Sequence, residues 1–518
     1  MRYLIFFFAI LVIPSCKPAP TSEASKSVTA LNSLTVESNF DPQSLLHSIV
    51  RINATQQDWN QWQPWEKDPP RQRRALAAII GPAKVITTAE IAANATYLEF
   101  ESADGTRFIP AKVLIRDDEV NLALLGPANE SDGQEFFKDT IPLQLSEPAI
   151  QGDTLEILQL EANGTALVTP GTLQSIELTS SFLPSHHFLT YMVKASMQSA
   201  ASSYTLPVIK NQQLAGVLLS YNSKDQICDV TSSDIIRRFL NAASSGDYEG
   251  FPSLGVQVTT TEDNSFRQWL NLTDEHGGLY IRRVGDNSAA KEAGVVSGDV
   301  LLEVDSKPID RRGYYEHQSY GNLSWVHLVR GTKAVGDDLK LKLMRDGKEL
   351  EVSAILKRKP PQDKLVPEYL FDQQPSYLVK GGLVFQELTR EILERYGKDW
   401  KSRAPLNLLD AYDNPQRYEE KMRRVVFLST VIPTPATLGY ERLRSMIVRK
   451  VNGHEIKDMQ DLADALNSNS GKMHAIEFLD EHLVIYIDEN VTNTVDTQLL
   501  RRGLSKLMHI APQRDQNQ

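Results

Sequence analysis

The run Ser288-Ala289-Ala290-Lys291-Glu292-Ala293-Gly294-Val295-Val296-Ser297-Gly298-Asp299-Val300-Leu301-Leu302-Glu303-Val304-Asp305 reads as a short helix, a Gly-Asp turn and an apolar strand. Two strand-like runs precede it, Ser253-Leu254-Gly255-Val256-Gln257-Val258 and Gly277-Gly278-Leu279-Tyr280-Ile281-Arg282-Arg283-Val284. Leu339 to Met344 and Leu350 to Leu356 follow it, joined by the turn Arg345-Asp346-Gly347-Lys348, which reads as a hairpin. Strand, strand, helix, turn, strand and hairpin in that order describe one small α+β module over 251–358. Two linkers bound it, Gly246-Asp247-Tyr248-Glu249-Gly250-Phe251-Pro252 and Lys357-Arg358-Lys359-Pro360-Pro361.

Beyond the second linker a further module is expected over 367–495. It opens on Pro375-Ser376-Tyr377-Leu378-Val379-Lys380-Gly381-Gly382-Leu383-Val384-Phe385 and continues through a helical run from Leu388 to Tyr396. Its last part reads as a strand and turn, Arg449-Lys450-Val451-Asn452-Gly453, before a helix with Leu462, Ala463 and Leu466 on one face. A C-terminal helix and tail are expected over 496–518. Upstream of the first linker, short β-like runs separated by turn residues fill 43–243, the pattern of an all-β barrel or sandwich. Ser233 to Leu240 reads as its closing helix, with a serine or aspartate N-cap.

A chain of 518 residues has room for about three domains, and its composition, 41% hydrophobic and 23% charged, is that of a globular protein. The net charge of −11 disfavours nucleic acid as a general partner, because phosphate binding needs a basic surface. Residues 1–16 read as a targeting segment: Arg2, then an apolar run from Leu4 to Ile13 too short to span a bilayer, then Pro14-Ser15-Cys16. A small residue before cysteine after such a run resembles a bacterial lipobox. The resemblance implies lipidation of Cys16 and an exported protein tethered by that lipid to a bacterial membrane, facing the periplasm. An ordinary cleaved signal with an incidental cysteine is the alternative. Residues 17–42, rich in Ser, Thr, Pro and Ala, read as a flexible tether. Cys228 is the only other cysteine, so with Cys16 lipidated no intramolecular disulfide is possible; its apolar flanks predict a buried, inert thiol. His186-His187 lacks a third ligand nearby and no Gly-rich phosphate loop occurs, so no metal and no cofactor are expected.

The module over 251–358 resembles a PDZ domain of the HtrA type. That over 367–495 is similar to the divergent second PDZ domain of the plant Deg proteases, through Ser376-Tyr377-Leu378, Gly382-Leu383-Val384-Phe385 and Tyr396-Gly397-Lys398-Asp399-Trp400. Three segments of the 43–243 region resemble the active-site segments of a trypsin-like protease: Val85-Ile86-Thr87-Thr88-Ala89-Glu90-Ile91, Asp117 to Leu125, and Ala201-Ser202-Ser203-Tyr204-Thr205-Leu206-Pro207-Val208. Taken together, the chain resembles the HtrA/Deg family. The resemblance implies a mainly β protein with α+β modules, a chymotrypsin-like double β-barrel followed by two PDZ domains.

Peptide acyl transfer needs a nucleophile, a base with a pKa near the working pH, a group that orients the base, and amides facing the oxyanion. The resemblance assigns these roles to His, Asp and Ser. Here Glu90 holds the histidine position and Asn121 the aspartate position. Anchoring on Pro207-Val208 puts Tyr204 at the nucleophile position, while a one-residue shift restores Ser203. A carboxylate is mostly ionised, and a weak base, at neutral pH. Ser202, Thr205 and Leu206 replace glycines, restricting the positive-φ conformations of an oxyanion loop. A pseudoprotease is the expectation, with Glu90 solvated, Asn121 capping a loop, and Asp117-Asp118-Glu119 a solvated turn. An active endopeptidase pairing Ser203 with Glu90 is the first alternative; a purely structural oligomer is the second. In the first PDZ module the resemblance implies that Ser253, Leu254, Gly255 and Val256 present amides to a peptide carboxylate, with Leu254 and Val256 lining an apolar pocket and the peptide adding as a strand. Gly381, Gly382, Leu383 and Val384 are the counterpart in the second module, which is expected to serve assembly. The implied partners are protein C-termini or unfolded segments, met by a homo-oligomer (a trimer or multiple of three) acting as scaffold, chaperone or regulator in envelope protein quality control.

Overall fold

The computed structural model describes residues 42–512 except 162, 198–204, 245, 274–275, 359–362, 469–472 and 480–482. Cys16, Ser203 and Tyr204 lie outside the described residues.

Six strands, β1 (Ile49–Gln56), β2 (Arg71–Gly81), β3 (Lys84–Thr87), β4 (Ala95–Ser102), β5 (Phe108–Asp117) and β6 (Leu122–Pro127), close into a first barrel in the order β1-β2-β3-β6-β5-β4. Closure follows from two-residue periodicity: Val50, Ile52 and Ala54 of β1 and Ala75, Ala77 and Ile79 of β2 all enter one core. Ile52 stands opposite Ala75 on one side and Phe100 on the other. Phe100 is fully buried, with Phe136 stacked at 6.5 Å and Phe137 edge-on at 5.6 Å. From the other side of β1, Arg51 pairs with Glu101 at 3.0 Å and donates to Glu161 O at 2.6 Å, reaching the next barrel.

That second barrel contains β7 (Thr154–Leu160), β8 (Ala166–Thr179), β9 (Phe188–Lys194), β10 (Pro207–Lys210), β11 (Gln213–Asn222) and β12 (Ile227–Ser232), closed as β10-β11-β12-β9-β8-β7. The helix Ser233–Ser244 seals it with Ile235, Ile236 and Phe239 buried, and runs four residues past the end the sequence predicts.

The first α+β module has β13 (Val256–Thr259), β14 (Leu279–Val284), β15 (Val300–Val304), β16 (Lys307–Pro308), β17 (Tyr314–His317), β18 (Gly321–Ser324), β19 (Asp338–Arg345) and β20 (Lys348–Ile355). Its sheet runs β13-β14-β15-β19-β20 with β16 on β15, and β17 and β18 form a separate hairpin. That hairpin docks on the second barrel, where Tyr320 donates to Asp234 at 2.7 Å. Ser288 caps the helix Ala289–Glu292, its Oγ accepting from Lys291 N–H.

The second module has β21 (Tyr377–Lys380), β22 (Leu383–Glu387), β23 (Val426–Val431), β24 (Met446–Val451), β25 (His454–Glu455), β26 (Met473–Phe478), β27 (Val484–Asp488) and β28 (Met508–His509), in the order β27-β26-β24-β23-β22-β21-β28 with β25 on β24. A tryptophan-rich loop of the first barrel holds it. Trp62 meets Tyr396 edge-on at 5.5 Å, Trp65 meets Tyr377 at 6.0 Å, and Gln374 donates to Pro64 O at 2.9 Å. The architecture is the double barrel with two trailing modules that the sequence implied.

Candidate functional site

β3 delivers its last residue, Thr87, to the start of the helix Ala89–Ala92, which places Glu90 in that helix's first turn. Asn121 sits between β5 and β6 at φ +57°, in the left-handed region that asparagine tolerates better than most residues. Its Oδ1 accepts the Glu90 N–H at 3.0 Å, the loop cap expected of it. Glu90 is not the solvated carboxylate expected: its Oε1 is bonded to Arg73 Nη1 of β2 at 2.9 Å and its side chain is 31% exposed. Arg73 stands on the neighbouring strand of the same barrel, close enough to claim it. Gln56 fixes the other end of the helix, Nε2 donating to Glu90 O at 2.7 Å and Ala93 O at 3.0 Å. No histidine is a partner of Glu90 or Asn121 among the described residues. Thr205, next to Tyr204 in sequence, is buried and turns its hydroxyl to Leu218 O at 2.6 Å.

Asp117-Asp118-Glu119 also departs from the solvated turn expected. Asp117 and Glu119 are buried because cations from distant parts of the chain cover them. Arg330, at the end of the helix Val326–Arg330, donates to Glu119 at 2.9 Å; His186 Nδ1 lies 3.1 Å from the same oxygen. Arg358 of the second linker stands 3.4 Å from Asp117 and 3.9 Å from Glu119, and Tyr248 of the first linker donates to Asp117 at 2.8 Å. Arg116 bonds Asp372 of the segment leading into the second module. Burial alone would push the Glu119 carboxyl up, but the His186 hydrogen bond and the charges of His186, Arg330 and Arg358 pull it down to about 2. Burial likewise disfavours charge on His186, yet its hydrogen bonds to Glu119 and Glu368 raise its pKa. The His186-His187 segment is therefore the centre of an ion-pair cluster joining both barrels to both modules.

Beside that cluster is a cavity of about 550 Å³. Ser253, Gly255 and Val256 line one wall, Arg330 and His186 another, and Tyr412 and Pro415 of the second module a third. Leu254 does not line it, and its side chain is buried, contrary to the pocket role expected of it. Gly255 is held at φ +80°, and a Cβ there would stand 2.3 Å from Ser288 Cβ, so this position requires glycine. The carbonyls of Leu254 and Gly255 accept from Ala290 and Gly285 N–H at 3.0 and 2.9 Å. The N–H groups of Leu254 and Gly255 find no backbone acceptor among the described residues. Of the two, Gly255 lines the cavity. β13, which follows them, ends its sheet, and no strand of the described residues pairs with its outer edge.

PDZ-domain family models match residues 252–356 and 366–504. Protease Do-like 2, chloroplastic, of Arabidopsis thaliana is 27% identical over 468 residues, covering 88% of this chain and 74% of that protein. Putative protease Do-like 3, mitochondrial, of the same plant is 26% identical over 462 residues, covering 88% and 78%. The periplasmic serine endoprotease DegP of Escherichia coli is 24% identical over 278 residues, covering 53% and 54%. A solved HtrA-type protease, AlgW with decapeptide, overlaps 61% of this chain and 97% of its own, with 18% identity and a TM-score of 0.45.

Over 88% of its length the chain is similar to Do-like proteases, and two of its modules match PDZ-domain models.

The two PDZ modules differ at the matching sheet edge. β22 holds the place in its sheet that β13 holds in the first module, but its outer edge is taken by β21, with Lys380 opposite Leu383 and Leu378 opposite Phe385. Gly381 and Gly382, at φ +62° and +105°, make the tight turn between them. Gly381 N–H donates to the Asp496 carboxylate at 2.7 Å, and Gly381 O accepts from Thr434. Leu383 and Val384 are buried. On its far side β21 pairs with β28, so two of the chain's own strands extend the sheet beyond β22. Composition hints at none of this, but the dipeptide Gly381-Gly382 between two apolar runs was a legible hairpin signal. Cys228 is fully buried, and burial, with Asp229 beside it, pushes its thiol up to about 12, so it stays protonated and inert.

Proposed function

We propose that this protein is a catalytically inactive member of the HtrA/Deg family that binds protein C-termini through its first PDZ module and acts as a scaffold, chaperone or regulator. The observation that carries the reading is the pairing at the helix Ala89–Ala92. The Glu90 carboxylate is committed to Arg73, and Asn121 spends its acceptor on the Glu90 amide. Neither arrangement supplies a base for a serine hydroxyl, and removing the base alone costs about a million-fold in turnover. Glu90, Asn121 and Tyr204 or Ser203 are read here as the positions of a lost triad.

Binding is assigned to the first module because its amides at Leu254 and Gly255 and its β13 edge are open, whereas the second module fills its own edge. A peptide whose terminal carboxylate meets those amides and whose backbone extends the sheet satisfies both features. In a titration of the full chain with a labelled decapeptide, converting the peptide's carboxylate to an amide is expected to weaken binding at least tenfold, the worth of a charge-assisted hydrogen-bond pair. Binding indifferent to amidation would remove the first module's loop from the account.

The second module, with its groove filled internally, is assigned to assembly, and the working unit is a homo-oligomer built on a trimer. The signal-like segment ending in Cys16 supports export and a lipid anchor in a bacterial envelope, where such a protein would serve quality control. Cys16→Ser is expected to move the protein from the membrane to the soluble fraction after cell lysis; continued sedimentation with membranes would exclude the lipid as its tether.

A further inference from the structure

The cavity in front of Gly255 carries a charge pattern that the peptide-binding reading does not use. Three of its four acidic lining residues are matched by cations, and Asp413 has no ion pair among the described residues. Glu119 meets Arg330 and Arg358, Glu368 meets Lys364 at 2.8 Å, and Glu419 meets Arg283 at 3.0 Å. Among the arginines and lysine of the lining, Arg282 is the one without an ion pair among the described residues. Exposed on β14, it donates to the neutral Gln257 Oε1 at 3.0 Å and has no carboxylate within ion-pair distance among the described residues. Gln257 is the second residue of β13, the strand a ligand would extend.

Strand geometry fixes which ligand side chain meets that pair. Along β13, Val256 and Val258 are partly buried while Gln257 and Thr259 are exposed, so the strand has an inner and an outer face. A tail added antiparallel to β13, with its carboxylate on the Leu254 and Gly255 amides, alternates in the same way. Its last side chain points inward, beside Val256. The one before points outward, toward Gln257 and the uncompensated guanidinium of Arg282. We infer that the ligand of the first PDZ module is a C-terminal tail with an acidic residue in the penultimate position. This rests on the peptide-binding reading above and names the chemical class of its ligand. In a chain of net charge −11, the free cation at this edge also selects acidic tails over the basic ones that the overall field would favour.

The test uses the full chain and three labelled decapeptides that differ only in carrying Glu, Gln or Lys as the penultimate residue, each as free acid and as amide. The Glu peptide is expected to bind about threefold tighter than the Gln peptide, in keeping with an exposed ion pair, and the Lys peptide weaker than both. Arg282→Gln is expected to erase the difference between Glu and Gln, Arg282→Glu to reverse the order toward Lys, and 1 M NaCl to suppress it in the parent protein. Arg282 is exposed, so these substitutions leave the fold intact. Free acids that bind better than amides but show no preference for Glu overturn this inference alone. Peptides that bind no better as acids than as amides overturn the reading beneath it as well.

Discussion

Glu119→Gln is expected to destabilise the docking of the first PDZ module on the barrels by about 3–5 kcal/mol, the cost of removing one partner from a buried ion cluster. Arg330 and Arg358 would each lose a carboxylate they approach in the folded chain, and His186 would lose its 3.1 Å partner. The effect has a pH signature. The Glu119 carboxyl is lowered from 4.5 to about 2, so its stabilisation is fully present above pH 4.5 and is lost as pH falls toward 2. The pKa of His186 is raised above 6.5, so its contribution is fully present below pH 6.5 and is lost as pH rises through the raised value. The gap between parent and variant should be widest between those limits and narrow on both sides. The first transition in thermal unfolding, followed across pH, measures it. A gap that stays flat with pH would mean that the cluster is not what joins the domains.

Leu378→Ala is expected to cost the second module about 2–5 kcal/mol. Leu378 lies on β21, 6% exposed, in a core shared with Leu462 and Leu466 of the helix Met459–Asn467 and with Phe385 of β22. It fills the channel between sheet edge and helix that in the first module faces the cavity. Truncation leaves a void lined on both sides by elements that cannot collapse onto each other without breaking the β21–β22 ladder. Leu378→Met, which conserves volume, should cost under about 1.5 kcal/mol. Denaturant unfolding of both variants separates a filled channel from an ordinary surface strand, for which the two substitutions would be equally mild.

What could be read from the sequence was local. Ser288 to Asp305 gave its helix, turn and strand because each depends on a few neighbouring residues: Ser288 at the N-cap, Gly298 at φ +104°, and the apolar run of β15. The helix from Ser233 was legible from the spacing of Ile235, Ile236 and Phe239, and Ser232 Oγ accepts the Ile235 N–H at its start. Gly255 was singled out by the resemblance of its segment to a PDZ domain, and the structure supplies the physical reason, a left-handed residue packed against Ser288. What could not be read was long-range. Glu119 looks like a solvated acid until Arg330, 211 positions away, is brought to it. Glu90 looks free until Arg73 arrives on the adjacent strand. Leu254 looks like a pocket residue, but its neighbours decide that it turns inward. The three tryptophans of Trp59-Asn60-Gln61-Trp62-Gln63-Pro64-Trp65 were a signal in plain view, since so much aromatic surface in one loop needs a partner. The second module is that partner for Trp62 and Trp65, while Trp59 lies under Lys67 of its own loop.

The central claim is that a protease fold is retained here without protease chemistry. Casein hydrolysis by the purified chain, measured from about pH 4 to about pH 9 beside a Ser203→Ala variant, tests it most directly. The account predicts that both proteins cleave no faster than the buffer control at every pH. Turnover by the parent protein that disappears in Ser203→Ala would contradict it.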